Sequence, residues 1–274
     1  MAQDPAALPD IREFVQQVYI HGVPYEVASR YDESVVPDLL EMLADESYLP
    51  HWSSIVTTLG MIGDESAVEP LIEFLQAGNA EASPPEYTAR SNVLLALGYN
   101  ANKSGSDTAL SYLSESVDPS VWSGRNVGWS LPHMDAKGRD EQLSTMAILG
   151  LALSGRPAAR DVLQDLQRPA TAKVNREFAE SVSDVVETAL EDHELIAEKG
   201  LLHYTRREPG HEFEPVGIVT GAAKPPPIIT GSDKVPEVPD ASMRPPKLPP
   251  KPALREAPEI LEGTLPEEPP PKER

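Results

Sequence analysis

The residue types best suited to chemistry gather in one short stretch, WSGRNVGWSLPHMD, residues 122–135. It holds Trp122, Arg125, Trp129 and His133, and two of the chain's three tryptophans. Tryptophan and arginine are the side chains most enriched where a partner's binding energy concentrates. The chemistry on offer is therefore recognition, and these four residues predict a partner-binding surface. A structural role competes with it. Each indole has a large apolar area to bury, and two of them could plug a gap between neighbouring elements. His133, beside Pro132, reads by itself as a surface residue.

Catalytic sets are harder to find. The chain has no cysteine, which excludes disulfides, thiolate catalysis, zinc knuckles and iron–sulfur clusters. It has neither a glycine-rich phosphate loop nor a Gly-x-Ser-x-Gly elbow. The paired carboxylates Asp45-Glu46 and Asp64-Glu65 fall at turns and helix starts. There they cap backbone N–H groups and favour the helix dipole. The expectation is no enzyme and no cofactor. The net charge is −21, and no cluster of Lys and Arg is present to release counterions, so nucleic acid is excluded as the main partner. An anionic membrane surface is disfavoured on the same ground. The acidity is concentrated: residues 1–91 carry 16 acidic side chains against Arg12, Arg30 and Arg90. That charge is either a solvated, solubilising surface or a face for a protein or peptide with basic segments. In the second case Glu41, Glu69 and Glu73 are candidate contacts.

These residues need elements to position them, and the elements repeat. DESVVPDLLEML begins at Asp32 and DESAVEPLIEFL at Asp64, an offset of 32 residues. Val36 matches Val68, Leu39 matches Leu71, Leu40 matches Ile72 and Leu43 matches Leu75. With Val35 and Ala67 these recur at i, i+1, i+4, i+5 and i+8, one stripe of an α-helix. Asp and Ser ahead of each stripe predict N-caps. Each such helix follows another: PHWSSIVTTLGMIG precedes Asp64, with Pro50 placed to start a helix and Gly63 to end it. ARSNVLLALGYN precedes SDTALSYLSES, and EQLSTMAILGLALSG precedes PAARDVLQDLQ. The pairs Leu59-Gly60, Leu97-Gly98 and Leu149-Gly150 mark three first helices. A glycine inside a helix costs about 1 kcal/mol against alanine, so they predict close helix–helix approach, unless they merely mark helix ends. The step from Gly60 to Gly98 is 38 residues and from Gly98 to Gly150 is 52. The extra 14 fall in the tryptophan-bearing stretch, an insertion at one joint of the array.

Residues 57–75, TTLGMIGDESAVEPLIEFL, resemble the HEAT repeat family, in particular the short HEAT-like repeat of phycobilisome lyases. The likeness covers roughly residues 24–168. It implies an all-α fold: a bacterial-type α-solenoid of about four to five helical hairpins, which the periodicity supports independently. Residues 8–21 are expected as an N-terminal cap. Residues 171–199 are expected as one C-terminal helix with Val174, Phe178, Val182, Val185, Ala189 and Ile196 inward. The resemblance also raises two enzyme classes, phycobilin lyases and a di-iron hydroxylase. The hydroxylase sets His-Glu pairs at equivalent places in several repeats. Here His193-Glu194 and His211-Glu212 fall outside the repeats' first helices, and no lyase-specific motif is present.

Composition changes near residue 200. Residues 201–274 hold 17 of the 29 prolines and predict an extended, mostly disordered tail. The chain therefore divides into a solenoid over 1–200 and a tail over 201–274. Val216–Val219 could dock as an edge strand. Pro246, Pro249 and Lys251 form a Pro-x-x-Pro-x-Lys pattern that fits an SH3-like groove, against a plain spacer as alternative. No apolar run has membrane-spanning length, and no signal peptide opens the chain. A cytoplasmic location follows, or an exported one if the opening Ala-Gln-Asp-Pro is a processed start. The function expected is a non-enzymatic scaffold that binds protein or peptide. The rivals are a subunit of a cofactor- or chromophore-handling enzyme, and an exported structural protein.

Overall fold

The computed structural model describes residues 8–78, 80–125, 127–168 and 174–206. Over these residues the fold is all-α: α1 (Ile11–Val15), α2 (Tyr25–Ala28), α3 (Val36–Ala44), α4 (Trp52–Ile62), α5 (Val68–Gln76), α6 (Pro84–Ser104), α7 (Asp107–Ser116), α8 (Ala136–Ser154), α9 (Pro157–Leu166), α10 (Arg176–Ser181), α11 (Ser183–Lys199) and α12 (Leu201–Thr205). One short exception is a parallel ladder of β1 (Ala80–Glu81) with β2 (Trp129–Ser130). First helices α4, α6, α8 and α11 pack side by side, each on the next. Second helices α3, α5, α7 and α9 form another layer, each against the first helix that follows it. This is the stack of hairpins that the repeat predicts.

The repeat starts are built alike. The Asp32 carboxylate accepts the Ser34 N–H (2.9 Å), and that of Asp64 accepts the Ser66 N–H (3.0 Å). Each capped residue opens a 3-10 turn, Glu33–Val35 or Glu65–Ala67, which runs into α3 or α5. The same Asp-x-Ser bond recurs at Asp45 with Ser47 (2.8 Å) and at Asp118 with Ser120 (2.9 Å). Hydrogen bonds from Ser34 and Ser47 hold the Asp32 and Asp45 carboxyls below their ordinary range. The matched residues Val36 and Val68, Leu39 and Leu71, and Leu43 and Leu75 are buried in one core.

The Leu-Gly positions are points of helix contact. A Cβ on Gly60 would strike the Ala96 backbone, one on Gly98 the Gly150 carbonyl, and one on Gly150 the Leu94 carbonyl. Helices α4, α6 and α8 thus meet backbone to backbone along one line. The helix ends lie further on, at Gly63 (φ 70°) and Gly155 (φ 56°), in the left-handed conformation that closes a helix.

Several boundaries differ from the sequence expectation. The N-terminal cap is a helix only over α1. The Tyr19 hydroxyl donates to the Phe14 carbonyl (2.9 Å), and the Gln17 N–H also donates there (3.2 Å). A continuing helix would give that carbonyl to residue 18. Pro50 lies inside a 3-10 turn, Glu46–His51, and α4 opens at Trp52. The expected single C-terminal helix is two, α10 and α11, broken at Val182 (φ −103°, ψ 9°). The break shifts the phase, so Val186 is buried and Val185 is only half-buried. Helical structure also continues past residue 200 into α12. Val216–Val219 and the Pro246, Pro249 and Lys251 pattern lie outside the described residues.

Candidate functional site

The insertion begins with a 3-10 turn, Pro119–Ser123, capped by Asp118. Trp122 drops from this turn into the core, fully buried, and its indole N–H donates to the Ser144 hydroxyl of α8 (3.0 Å). Its ring meets Tyr112 of α7 edge to face. Trp129, on β2, is equally buried; its N–H donates to the Leu75 carbonyl at the end of α5 (2.6 Å), and its ring meets Tyr87 of α6 at 5.3 Å. The two indoles therefore sit between successive hairpins and satisfy backbone and hydroxyl groups there. Burial withdraws both aromatic faces from any partner, which corrects the expectation of an open surface made by Trp122, Arg125, Trp129 and His133.

Arg125 completes the plug. Its guanidinium lies 3.9 Å over the Tyr112 ring and 5.0 Å over the Trp122 ring. It donates to the Ser116 hydroxyl and to Glu115 (3.2 Å). Burial raises the Tyr112 phenol, while Gln76 and Arg125 act the other way. His133 alone of the four is exposed, with φ 69°, at the turn before α8. Arg139 pins the insertion from α8: it donates to the Val127 carbonyl (2.6 Å) and pairs with Asp140 (2.6 Å). Arg90 has a similar role at the preceding joint. It is buried over Phe74 (4.6 Å), donates to the Phe74 carbonyl and pairs with Glu86 (3.0 Å).

On the second helices exposed carboxylates recur. Leu39, Leu71, Leu113 and Leu163 are fully buried at equivalent places on α3, α5, α7 and α9. Two residues after each stands an exposed carboxylate: Glu41, Glu73, Glu115 and Asp165. One turn earlier on the same face are Glu69 on α5 and Asp161 on α9, both exposed. Two of the column's members hold arginines, Glu41 with Arg12 (3.0 Å) and Glu115 with Arg125 (3.2 Å). Sequence reasoning singled out Glu41, Glu69 and Glu73 and missed Asp161, Asp165 and Glu115. For Glu115 and Asp165 the signal is the triplet leucine, any residue, acid, which recurs in all four second helices.

A cleft of about 380 Å³ opens beside the insertion, between the Pro119–Ser123 turn, the first turns of α8, and α10. Asp118, Lys137, Asp140, Glu141, Glu177 and Phe178 line it. Its polar wall is largely engaged already: Asp118 caps its turn, Asp140 holds Arg139, and Lys137 lies 3.5 Å from Glu141. His193 is buried, with a ring nitrogen 2.9 Å from the Arg156 carbonyl, and Glu194 lies 3.6 Å from Arg160. This His-Glu pair therefore joins α11 to α9; His211-Glu212 lies outside the described residues. Among the described residues no group of three or more His, Asp or Glu side chains is placed to hold a metal ion. Among the same residues no helix is long and apolar enough to cross a membrane.

Residues 53–77 match the family model described as PBS lyase HEAT-like repeat. The match spans α4, the Asp64 turn and α5, one hairpin of the stack. No curated protein and no solved structure matches the chain.

Proposed function

The chain carries a HEAT-like repeat of the PBS lyase type, and on that footing we propose that it is a non-enzymatic interaction module that binds a protein or peptide with basic segments. The observation that carries this reading is the acidic column. Four hairpins present a carboxylate at the same place, and repeated units generate extended surfaces suited to a linear partner. A basic segment laid across the second helices would meet Glu73 and Glu69 on α5 and Asp161 and Asp165 on α9. Exposed ion pairs of this kind contribute little singly, about 0–1 kcal/mol each. Their value lies in number, orientation and rate of encounter.

Titration of the protein with a lysine- and arginine-rich peptide, at low and at high ionic strength, tests the reading. Binding weakens as salt rises, because exposed charges are screened. The variant Glu73→Lys/Asp165→Lys loses most of the low-salt affinity. Affinity that ignores both salt and the charge reversal would rule the reading out.

A further inference from the structure

The last of the described helices lies against α2. Helix α12 follows α11 at the C-terminal end of the stack, yet it touches α2 at the other end. Arg206, just after it, donates to Glu26 on α2 (3.2 Å), across 180 positions of chain. Leu201 joins Leu153 of α8 and Ile196 of α11 in an apolar cluster separate from the main core. Tyr25, Leu95, Tyr99 and Tyr204 pack around that cluster. Tyr25 and Tyr99 stack at 5.8 Å, and the Tyr204 hydroxyl donates to Asp192 (3.1 Å). Helix α2 has four residues and no side-chain cap. Lys103 of α6 holds its far end by donating to the Ser29 carbonyl (2.7 Å).

We propose that α12 is a displaceable strap, and that the apolar groove beneath it binds a partner's short helix bearing leucine, tyrosine and arginine at the spacing of Leu201, Tyr204 and Arg206. The segment seated there displays the chemistry the groove accepts. Leucine meets Leu153 and Ile196, tyrosine packs against the same cluster and donates to Asp192, and arginine answers Glu26. The strap is poised to leave. It is five residues long, it joins α11 through Gly200 (φ 81°), and its ion pair with Glu26 is exposed on both sides. Leu202 beside the seated leucine is 42% exposed, so α12 presents one narrow apolar edge to the groove. Once α12 lifts, Tyr25 of α2, Leu95 and Tyr99 of α6 and Leu153 of α8 form an open patch. A partner helix of the same pattern competes for it. The proposal does not depend on the acidic column, which lies on the second helices.

The probe is a labelled peptide with the sequence of residues 196–206, added to the full chain. The variant Leu201→Asp/Tyr204→Ala, with helix content checked by circular dichroism, binds the peptide at least about tenfold more tightly than the unaltered chain. Glu26→Arg in that background weakens the binding. Equal affinity for both chains, or no binding to the strap-released one, overturns the proposal. A second measurement needs no loss of apolar contact. Amide exchange at Ser29–Tyr31 speeds up roughly two- to fivefold in Glu26→Arg and in Arg206→Glu, and returns toward the original rate in the double charge swap. Exchange unchanged in the single variants overturns it too.

Discussion

At the scale of single residues, the two tryptophans of the insertion are part of the packed core. Trp122 and Trp129 each combine complete burial with a satisfied N–H. Trp122→Phe keeps most of the ring and strands the Ser144 hydroxyl, so it should cost about 1–3 kcal/mol in urea unfolding. Trp129→Ala leaves a cavity between hairpins and should cost about 3–5 kcal/mol. A loss near zero in either variant would return the indole to the surface. The tyrosines predict a pH response. Burial pushes the Tyr31 and Tyr87 phenols up to about 12 from an ordinary 10.0. The folded state therefore keeps protons that the unfolded chain releases. Stability is intact below pH 10 and is lost as pH rises toward 12. The urea midpoint measured across that window checks this, and Tyr87→Phe should flatten the fall. The residue types at 122–135 were legible as unusual, and both roles fitted them. Burial separated the two, and burial depends on what Ser144, Leu75 and Tyr87 bring from distant helices.

At the scale of elements, the hairpins are specified by short local signals joined by glycine contacts. The offset of 32 residues located α3 and α5, and the Asp-x-Ser caps placed their starts. The Leu-Gly pairs located the line where α4, α6 and α8 touch. Gly98→Ala tests that contact. Alanine gains about 1 kcal/mol of helix propensity, yet its Cβ runs into the Gly150 carbonyl. The expected net effect is a loss of about 1–3 kcal/mol from overpacking, read as a lower urea midpoint. A stabilised variant would show that the helices can part at no cost. Three boundaries escaped the sequence because side-chain contacts, local or distant, set them. Tyr19 takes the Phe14 carbonyl and ends α1 early. Val182 breaks the C-terminal helix where its side chain and Phe178 are both buried. Helix α12 forms against α2 and against Leu153 and Ile196, which no local pattern announces. The acidic column was only partly legible: its members at Glu41 and Glu73 lie in the two best-matched repeats, while Glu115 and Asp165 lie in diverged copies.

At the scale of the whole molecule, the hairpin stack sorts its side chains by layer. First helices bury glycine, leucine and alanine against one another, and second helices turn carboxylates to solvent. The interior is thereby committed to packing, and the recognition proposed above falls to the exposed charge. The most direct test of that division is amide chemical-shift mapping of the protein as a lysine- and arginine-rich peptide is added at low salt. A recognition role for the acidic column predicts shifts along α5 and α9, centred on Glu69, Glu73, Asp161 and Asp165, which fade as salt is raised. Shifts confined to residues 122–135, or spread evenly over all acidic residues, would contradict it.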